Sequence, residues 1–594
     1  MNENNKANWQ KIIQKKMSSF DSKNVERANS ENISLDNKNV DQHPINNLFT
    51  RLEKSEEVVV NKEVHKTENL TGSKLKIFIN EQGTITLKPS SKLLASILFE
   101  LEDTVYDIKN NEWKITHIDY NKIKKKLKSA KFIFKDIPKG SLNILNRPII
   151  NKSYDLEGEI YDKMFVFQKE AVIYALNRAG RIILGDDMGL GKTIQALGIA
   201  YYYRIEWPLL IIAPASLLDN WAASIKQFLN LDSKVVRART DFGDKISIIS
   251  YDMCSKFIDI VNTYNYGVII VDECHYIKSA TSKRTKNILP ILQNAGRLIL
   301  MSGTPAVSRP LELYTIFCAV DKNLFPNFSE YGIRYCNGRK IKQWYDYKGC
   351  THAEELNFIL NKYFMIRRLK DQVLNQLPPK SRRQIIINCG LNIDRKNISL
   401  VGDNVEQTAM GMYREAATQK LEPVKMYIDT ILEKNIKFII FAHHLSMMEG
   451  LSFYLADKKV NFIKMDGSVI TSHRQRLVNE FQNNGNVRVA LLSVTACNTG
   501  LTLTAAKLVV FAELYWNPGT LLQAEDRIHR IGQSSSVDIH YLVCKGTVDE
   551  YVWPILLKKL NVLQSLGMGK NNLKNAECKN IEIEQTTLDK FTNK

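Results

Sequence analysis

The residues best suited to chemistry gather first at Gly185-Asp186-Asp187-Met188-Gly189-Leu190-Gly191-Lys192-Thr193. The apolar run Ile182-Ile183-Leu184 precedes them and Ile194-Gln195-Ala196-Leu197 follows, so the stretch reads as strand, glycine-rich turn and helix. That is the geometry of a phosphate-binding loop. Gly189 and Gly191 let backbone N–H groups curl round an anion, and the helix N-terminus adds the positive end of its dipole. Lys192 is spaced to reach the β- and γ-phosphates of a nucleotide, and Thr193 offers a hydroxyl to Mg²⁺. Asp186 stands where the G-x-x-x-x-G-K-[ST] pattern has its first glycine. A turn closing a strand, with a solvated lysine, has the same letters; residues downstream separate the two.

A second group, Asp272-Glu273-Cys274-His275, follows the apolar run 268–271. Two carboxylates at the end of a buried strand, beside a phosphate loop, make a site for a metal ion and a water. Asp272 is placed to hold Mg²⁺ and Glu273 to orient and deprotonate the water; without the loop both read as solvated acids. Ser302-Gly303-Thr304-Pro305, after the run 298–300, reads as a phosphate sensor or as a plain turn. Gln168, upstream of the loop, is a candidate reader of an adenine edge. Far downstream, Gln523-Ala524-Glu525-Asp526-Arg527-Ile528-His529-Arg530-Ile531-Gly532-Gln533 puts Arg527 and Arg530 at i and i+3, on one helical face. A forked guanidinium suits the charge that gathers on γ-phosphate oxygens, and such an arginine contributes about 10³–10⁵ in rate. Supplied from a second lobe, it makes hydrolysis conditional on lobe closure.

The elements that must hold these residues show in the apolar periodicity. Short runs at 182–184, 209–212, 246–249, 268–271 and 298–300 alternate with helical patterns. The pattern returns at 438–441, 462–464, 489–492, 508–511 and 537–542. Buried runs alternating with helices predict α/β architecture, with two parallel-sheet lobes covered on both faces. The lobes are expected over 155–400, with a helical insertion from about 305 ending at Leu377-Pro378-Pro379-Lys380, and over 401–570. Residues 71–140 read as a small α+β unit, with hairpin alternation, Tyr106-Asp107, Trp113, Tyr120 and a basic run at 122–128. Trp113 among lysines fits a platform for a nucleic-acid base, and fits a core anchor better. Residues 1–70, rich in Asn, Lys, Glu and Ser, are expected to be disordered, and 571–594 to be a polar tail.

At 594 residues the chain exceeds one core. Its 82 basic and 63 acidic residues leave +19, which favours a polyanionic partner, although a lysine-rich composition alone has the same effect. Nine cysteines without a C-x-x-C pair argue against a zinc finger or disulfide scaffold and fit a reducing compartment. No apolar run reaches membrane-span length and the start lacks a signal region, so a soluble intracellular protein without membrane association is expected.

Gln168, the loop 187–193, Asp272-Glu273-Cys274-His275, Ser302-Gly303-Thr304-Pro305, Gly500-Leu501-Thr502-Leu503-Thr504-Ala505-Ala506 and the stretch 523–533 occur in that order. Together they resemble the SWI/SNF-type superfamily-two DNA translocases, with Cys274 where that family has Ala, Gly or Ser. More narrowly, Tyr331-Gly332-Ile333-Arg334-Tyr335-Cys336, Trp344-Tyr345-Asp346-Tyr347 and Met365-Ile366-Arg367-Arg368-Leu369-Lys370 look like the HepA-related annealing-helicase branch. The 71–140 unit is similar to that branch's HARP domain. The resemblance implies two RecA-like lobes, helicase ATP-binding and helicase C-terminal, with ATP and Mg²⁺. It implies a DNA-dependent ATPase that acts on forked or branched DNA, rewinds single strands and remodels stalled replication forks in the nucleus. Catalytic roles carry over to Lys192, Asp272, Glu273, Arg527 and Arg530. Nucleotide contacts carry over to Gln168, Asp187, Met188, Gly189, Leu190, Gly191, Lys192, Thr193 and Gln523, with Thr193 and Asp272 at the metal. DNA contacts carry over to Ser216, Ser250, Tyr251, Gly467, Ser468, Thr499 and Trp516. The branch commonly binds replication protein A, but residues 1–25 match its motif poorly. A nucleosome remodeller and a non-catalytic DNA-binding scaffold are the other readings. No histone-reading module is visible, and intact Lys192, Asp272, Glu273 and Arg530 speak against a scaffold.

Overall fold

The computed structural model describes residues 74–99, 101, 103–243, 245–303, 309–373, 378–388, 405–495, 503–530, 533, 535–566 and 577–580. The stretch 1–70, with the segment weighed for replication protein A, lies outside them, as do Thr304, Pro305 and Thr499. The first sheet is antiparallel. Its strands are β1 (Lys76–Ile79), β2 (Ile85–Lys88), β3 (Val105–Asp107) and β4 (Glu112–Ile115), in the order β1-β2-β4-β3. Period-two alternation sends Ile77, Ile79, Ile85, Leu87, Trp113 and Ile115 to one core. The helix Tyr120–Ser129 covers that core with Tyr120, Ile123 and Leu127, spaced three and four apart. Trp113 is 4% exposed. Its ring meets Phe99 at 5.2 Å and Tyr106 at 4.8 Å, and its indole N–H donates to Ser90 Oγ at 3.0 Å. With both faces covered it anchors the core and offers no platform to a base, which corrects the nucleic-acid reading.

As an edge strand, β1 has outward backbone groups that need partners. Arg334 donates to Ile77 O at 2.7 Å, and Glu355 accepts from Ile79 N at 3.0 Å. Those two side chains, from the insertion of the first lobe, pair with each other at 2.6 Å and are buried. Arg334 also donates to Lys135 O at 2.7 Å, and Tyr335 Oη to Glu355 at 2.7 Å. Nearby, Gly140 lies so close to Leu324 that a Cβ would fall 1.5 Å from its carbonyl oxygen. The small sheet is thus built onto the first lobe.

That lobe contains β5 (Arg181–Leu184), β6 (Leu209–Ala213), β7 (Lys234–Val236), β8 (Ile246–Ser250), β9 (Val268–Asp272) and β10 (Arg297–Met301). A hairpin of β11 (Arg339–Ile341) and β12 (Trp344–Asp346) follows, then β13 (Met365–Ile366). The parallel sheet runs β13-β5-β10-β9-β6-β8-β7. Ile182 and Leu184 point into one apolar core and Ile183 into another, as a strand covered on both faces requires. The second lobe contains β14 (Lys380–Asn388), β15 (Phe438–Ala442), β16 (Phe462–Met465), β17 (Val489–Ser493), β18 (Leu508–Phe511), β19 (Val537–Lys545) and β20 (Glu577–Asn580). Its parallel order is β16-β17-β15-β18-β19-β14-β20. Two parallel-sheet α/β lobes after a small α+β unit is the architecture expected.

Two boundaries differ from the expectation. The segment 380–388, expected as the end of the first lobe, is β14 and pairs along its whole length with β19, from Lys380 opposite Val537 to Asn388 opposite Lys545. Its polar start, Lys380-Ser381-Arg382, hid it, because those side chains pair with Glu525 and Asp538 of the second lobe. The polar stretch after 570 supplies β20, paired with β14. Cys254, Cys274, Cys318, Cys336 and Cys350 are free thiols, whereas Cys544 is disulfide-bonded. Among the described residues no helix is long and apolar enough to cross a membrane.

Removing one partner of a buried ion pair costs about 3–5 kcal/mol. Arg334→Met is therefore expected to lower the unfolding free energy by that order in urea titration, and Arg334→Met with Glu355→Met to recover much of it. Deleting 71–140 would strand the same pair, so the small unit is better tested by surface substitutions.

Candidate nucleotide site between the lobes

The loop after β5 turns on two left-handed glycines, Gly189 at φ 87° and Gly191 at φ 77°. Neither position has room for a side chain. A Cβ on Gly191 would lie 2.4 Å from Gln168 Nε2, and one on Gly189 2.8 Å from Arg530 Cγ. Lys192 opens the helix Lys192–Tyr202 and its ammonium donates to Asp186 O at 2.7 Å and Asp187 O at 3.3 Å. Burial lowers its pKa, opposed by the charges of Glu273, Asp186, Asp187 and Asp272. Gln168 is buried and bound to this loop, accepting from Phe165 N at 3.0 Å and donating to Leu190 O at 3.1 Å.

Asp186, where the pattern has glycine, is fully buried. It accepts from Arg368 N at 2.9 Å, Arg368 Nη2 at 2.5 Å and Gln195 Nε2 at 3.1 Å. Arg367 donates to Gly185 O at 2.5 Å, Gly303 O at 2.8 Å and Asp187 Oδ1 at 3.1 Å. Backbone bonds from Gly185 N to Ile366 O (2.8 Å) and Asp187 N to Arg368 O (3.0 Å) continue the clamp. The segment from β13 to Lys370 therefore grips the phosphate loop. Sequence reasoning treated these residues only as a family mark; paired arginines after a short apolar run were the available signal.

The strand β9 delivers Asp272, and Glu273 follows in a left-handed conformation at φ 53°. Asp272 Oδ2 accepts from the Trp221 indole at 2.9 Å. Burial, reinforced by the neighbouring Glu273 charge, pushes Asp272 up to about 6. Burial also pushes Glu273 upward, but the His275 hydrogen bond and charge, with Lys192 and Arg527, outweigh it and hold that carboxyl below its ordinary value. His275 Nδ1 stands 3.2 Å from Glu273 Oε2, and Ser302 Oγ donates to the same oxygen at 3.3 Å. The end of β10 is thereby wired to the acidic pair.

In the second lobe the helix Pro518–Glu525 ends before the two arginines. Arg527 and Arg530 lie in the turn beyond it and not on a helical face, which corrects the i, i+3 expectation. Gln523 is buried within that helix. Glu525 is held by Arg382, by Lys380 at 3.0 Å and by Tyr541 Oη at 2.6 Å; burial raises its pKa, but Arg382 and Lys380 bring it down to about 2. Next to it, Asp526 accepts from Lys370 Nζ at 2.9 Å, and His529 Nε2 stands 2.8 Å from Pro378 O. The chain crossing between the lobes is thus bonded to the arginine-bearing turn. Across the cleft, the Arg530 side chain lies against Gly189, and the Arg527 charge acts on Glu273.

Lys192, Asp272, Glu273, Arg527, Arg530 and Gln168 therefore converge on one loop, with Met188, Leu190 and Thr193 part of it. Thr193, in the first turn of the helix after the loop, and Asp272, at the end of β9, could supply oxygen ligands to Mg²⁺. Among the described residues no group of three or more His, Cys, Asp or Glu could hold a metal. An ion bound through one carboxylate, one hydroxyl and nucleotide phosphates needs no such group, so the donor set fits.

The expected DNA contacts divide. Tyr251 is 2% exposed, stacks on Tyr276 at 5.2 Å and donates to Asp272 O at 2.6 Å. Ser250 is buried and caps the helix Tyr251–Lys256, accepting from Met253 N at 3.3 Å. Tyr251 supports the acidic pair from within, Ser250 is spent as a cap, and neither side chain is exposed for the expected DNA contact. Gly467 and Ser468 are exposed in the turn after β16, and Ser216 and Trp516 are half-buried.

The SNF2-related domain matches residues 167–400 and the helicase conserved C-terminal domain residues 420–532. Over 500 residues the chain is 39% identical to the SWI/SNF-related matrix-associated actin-dependent regulator of chromatin subfamily A-like protein 1 of Xenopus laevis, covering 79% of this chain and 52% of that protein. Over 447 residues it is 42% identical to the DNA annealing helicase and endonuclease ZRANB3 of Mus musculus, covering 70% and 42%. The Caenorhabditis elegans homolog of the first is 34% identical over 571 residues, covering 91% and 82%. The chain spans about half the length of the Xenopus and mouse relatives. With most of both the nematode protein and this chain aligned, the chain belongs to the SWI/SNF family, in the branch of the subfamily A-like protein 1 and the annealing helicases.

Proposed function

We propose that this chain is a DNA-dependent ATPase that translocates on DNA and anneals strands at forked or branched sites. The observation that carries the reading is Arg530 of one lobe packed on Gly189 of the other. A pocket completed only when two lobes meet couples hydrolysis to their relative motion. Lys192 and the loop amides would hold the phosphates, and Thr193 with Asp272 would hold Mg²⁺. When bound, that ion neutralises phosphate charge. Glu273, kept ionised by His275, takes a proton from the attacking water, and Arg527 and Arg530 stabilise charge on the transferring group. The excess of 19 positive charges suits a phosphate backbone, for which Ser216, Gly467, Ser468 and Trp516 are the surface candidates. The branch's family supports a nuclear workplace.

Lys192→Ala is expected to abolish ATP turnover while DNA affinity, read by anisotropy, stays within about twofold. Arg530→Ala is expected to cut kcat by about 10³ with little change in nucleotide affinity. Loss of binding together with turnover in both variants would make the loop structural only.

The depressed Glu273 carboxyl sets a pH dependence. Its ionised form is the active one and is lost as pH falls through its pKa. His275→Ala removes the contact that most lowers that pKa, so the acid limb of kcat should move to higher pH; an unmoved limb assigns the base elsewhere.

Substrate is settled by ATPase rates with forked, continuous duplex, single-stranded and nucleosomal DNA. Forks heading the series support the annealing reading, whereas nucleosomes heading it make the chain a chromatin remodeller.

A further inference from the structure

The hairpin β11–β12 has a composition unlike an ordinary surface turn. Ile341 pairs with Trp344, Lys340 with Tyr345 and Arg339 with Asp346, across the two-residue connection Lys342-Gln343. Directly opposed residues share a face, so Ile341 and Trp344 form one apolar tip, with Arg339 two residues behind on the same side. Lys340 and Tyr345 occupy the other side. Trp344 is 78% exposed, Ile341 56% and Tyr345 46%. Single exposed apolar side chains need no explanation, but three on one hairpin tip mark a surface that meets something.

The root of the hairpin is fixed. Tyr347 fills the space left by two glycines, and a Cβ would come within 2.5 Å of its ring at Gly332 and 2.8 Å at Gly338. Phe328 meets Tyr347 edge-on at 5.0 Å, and Tyr345 stacks on it at 5.8 Å. From the small sheet's side, Lys135 Nζ donates to Asn337 Oδ1 at 3.2 Å, beside the start of β11. An aromatic column therefore leads from packed interior to Tyr345, on the hairpin face opposite Trp344, next to the HARP-like unit.

Charge identifies the partner. Between Arg339 and Lys348 stand four cations and one carboxylate, Asp346, which already accepts from Lys348 N at 3.1 Å. An anion with flat apolar faces is a nucleic acid whose bases are open. In continuous duplex those faces are stacked away, and they open where paired strands end. We propose that this hairpin is a branch-point probe. Trp344, backed by Ile341, stacks on the base exposed where a duplex ends at a junction, and Arg339, Lys340 and Lys342 hold the flanking phosphates. The inference rests on the reading of the chain as an enzyme of branched DNA and names the element that recognises the branch.

The test uses the full chain and a fork carrying 2-aminopurine at the branch point. Wild-type protein should quench the probe. Trp344→Ala should abolish quenching and weaken fork affinity about tenfold, while ATPase stimulated by continuous duplex stays within about twofold. Trp344→Phe should retain most of the quenching. Lys342→Ala should reduce the slope of log affinity against log salt by about 1. Unchanged quenching and fork affinity in Trp344→Ala overturn the proposal, as does loss of duplex-stimulated turnover in the same variant, which would make the tryptophan part of the motor's fold. A wild-type chain without turnover on any DNA would instead overturn the ATPase reading and leave the hairpin's binding to be read from the probe alone.

Discussion

A single buried carboxylate, Asp186, ties the working parts together. Burying that charge is unfavourable unless its oxygens are filled, and they are filled by Arg368 and Gln195. Arg368 lies in the segment that leaves the first lobe, Gln195 in the helix behind the phosphate loop. The bond therefore fixes the loop to the chain that leads toward the second lobe. Four residues past β13, Lys370 extends the network to Asp526, one residue from Arg527. The shape of the loop and the approach of the arginines are consequently two ends of one hydrogen-bonded chain.

The same device joins the small sheet to the motor. Arg334 and Glu355 occupy the free backbone positions of β1, and the pair is satisfied only while the sheet is docked. Apolar surfaces can slide, whereas buried ionic groups with fixed partners tolerate one register. Both joints thus resist alternative dockings. The hairpin β11–β12 grows from the joint between small sheet and insertion, so whatever its tip meets acts on a rigid lever.

The adjacent carboxylates Asp272 and Glu273 show how environment separates like groups. Asp272 is pushed up to about 6 by burial and its neighbour, while Glu273 is held down by His275 against the same burial. Tyr251 underpins this arrangement from behind through its bond to the Asp272 carbonyl. Ser250 and Tyr251, expected as strand contacts, are buried, the ring packed on Tyr276 and the hydroxyl spent as a cap.

What the chain's letters determined by themselves was local. Short continuous apolar runs between turns predicted ten of the parallel strands, and glycine spacing predicted the loop, because both depend on neighbours a few residues apart. What tertiary structure decided depended on distant partners. The strand β14 looked polar until Arg382 found Glu525 and Ser381 found Asp538, each well over a hundred residues away. Trp113 and Trp344 are the same residue type in similarly basic surroundings, yet one is sealed between Phe99 and Tyr106 and the other stands in solvent. Arg527 and Arg530 kept their helical spacing on paper, but the helix stops at Glu525, whose carboxylate is engaged by β14 and β19. Composition and spacing report propensity; burial and pairing are properties of the packed whole, since they are set by which remote groups arrive to exclude water.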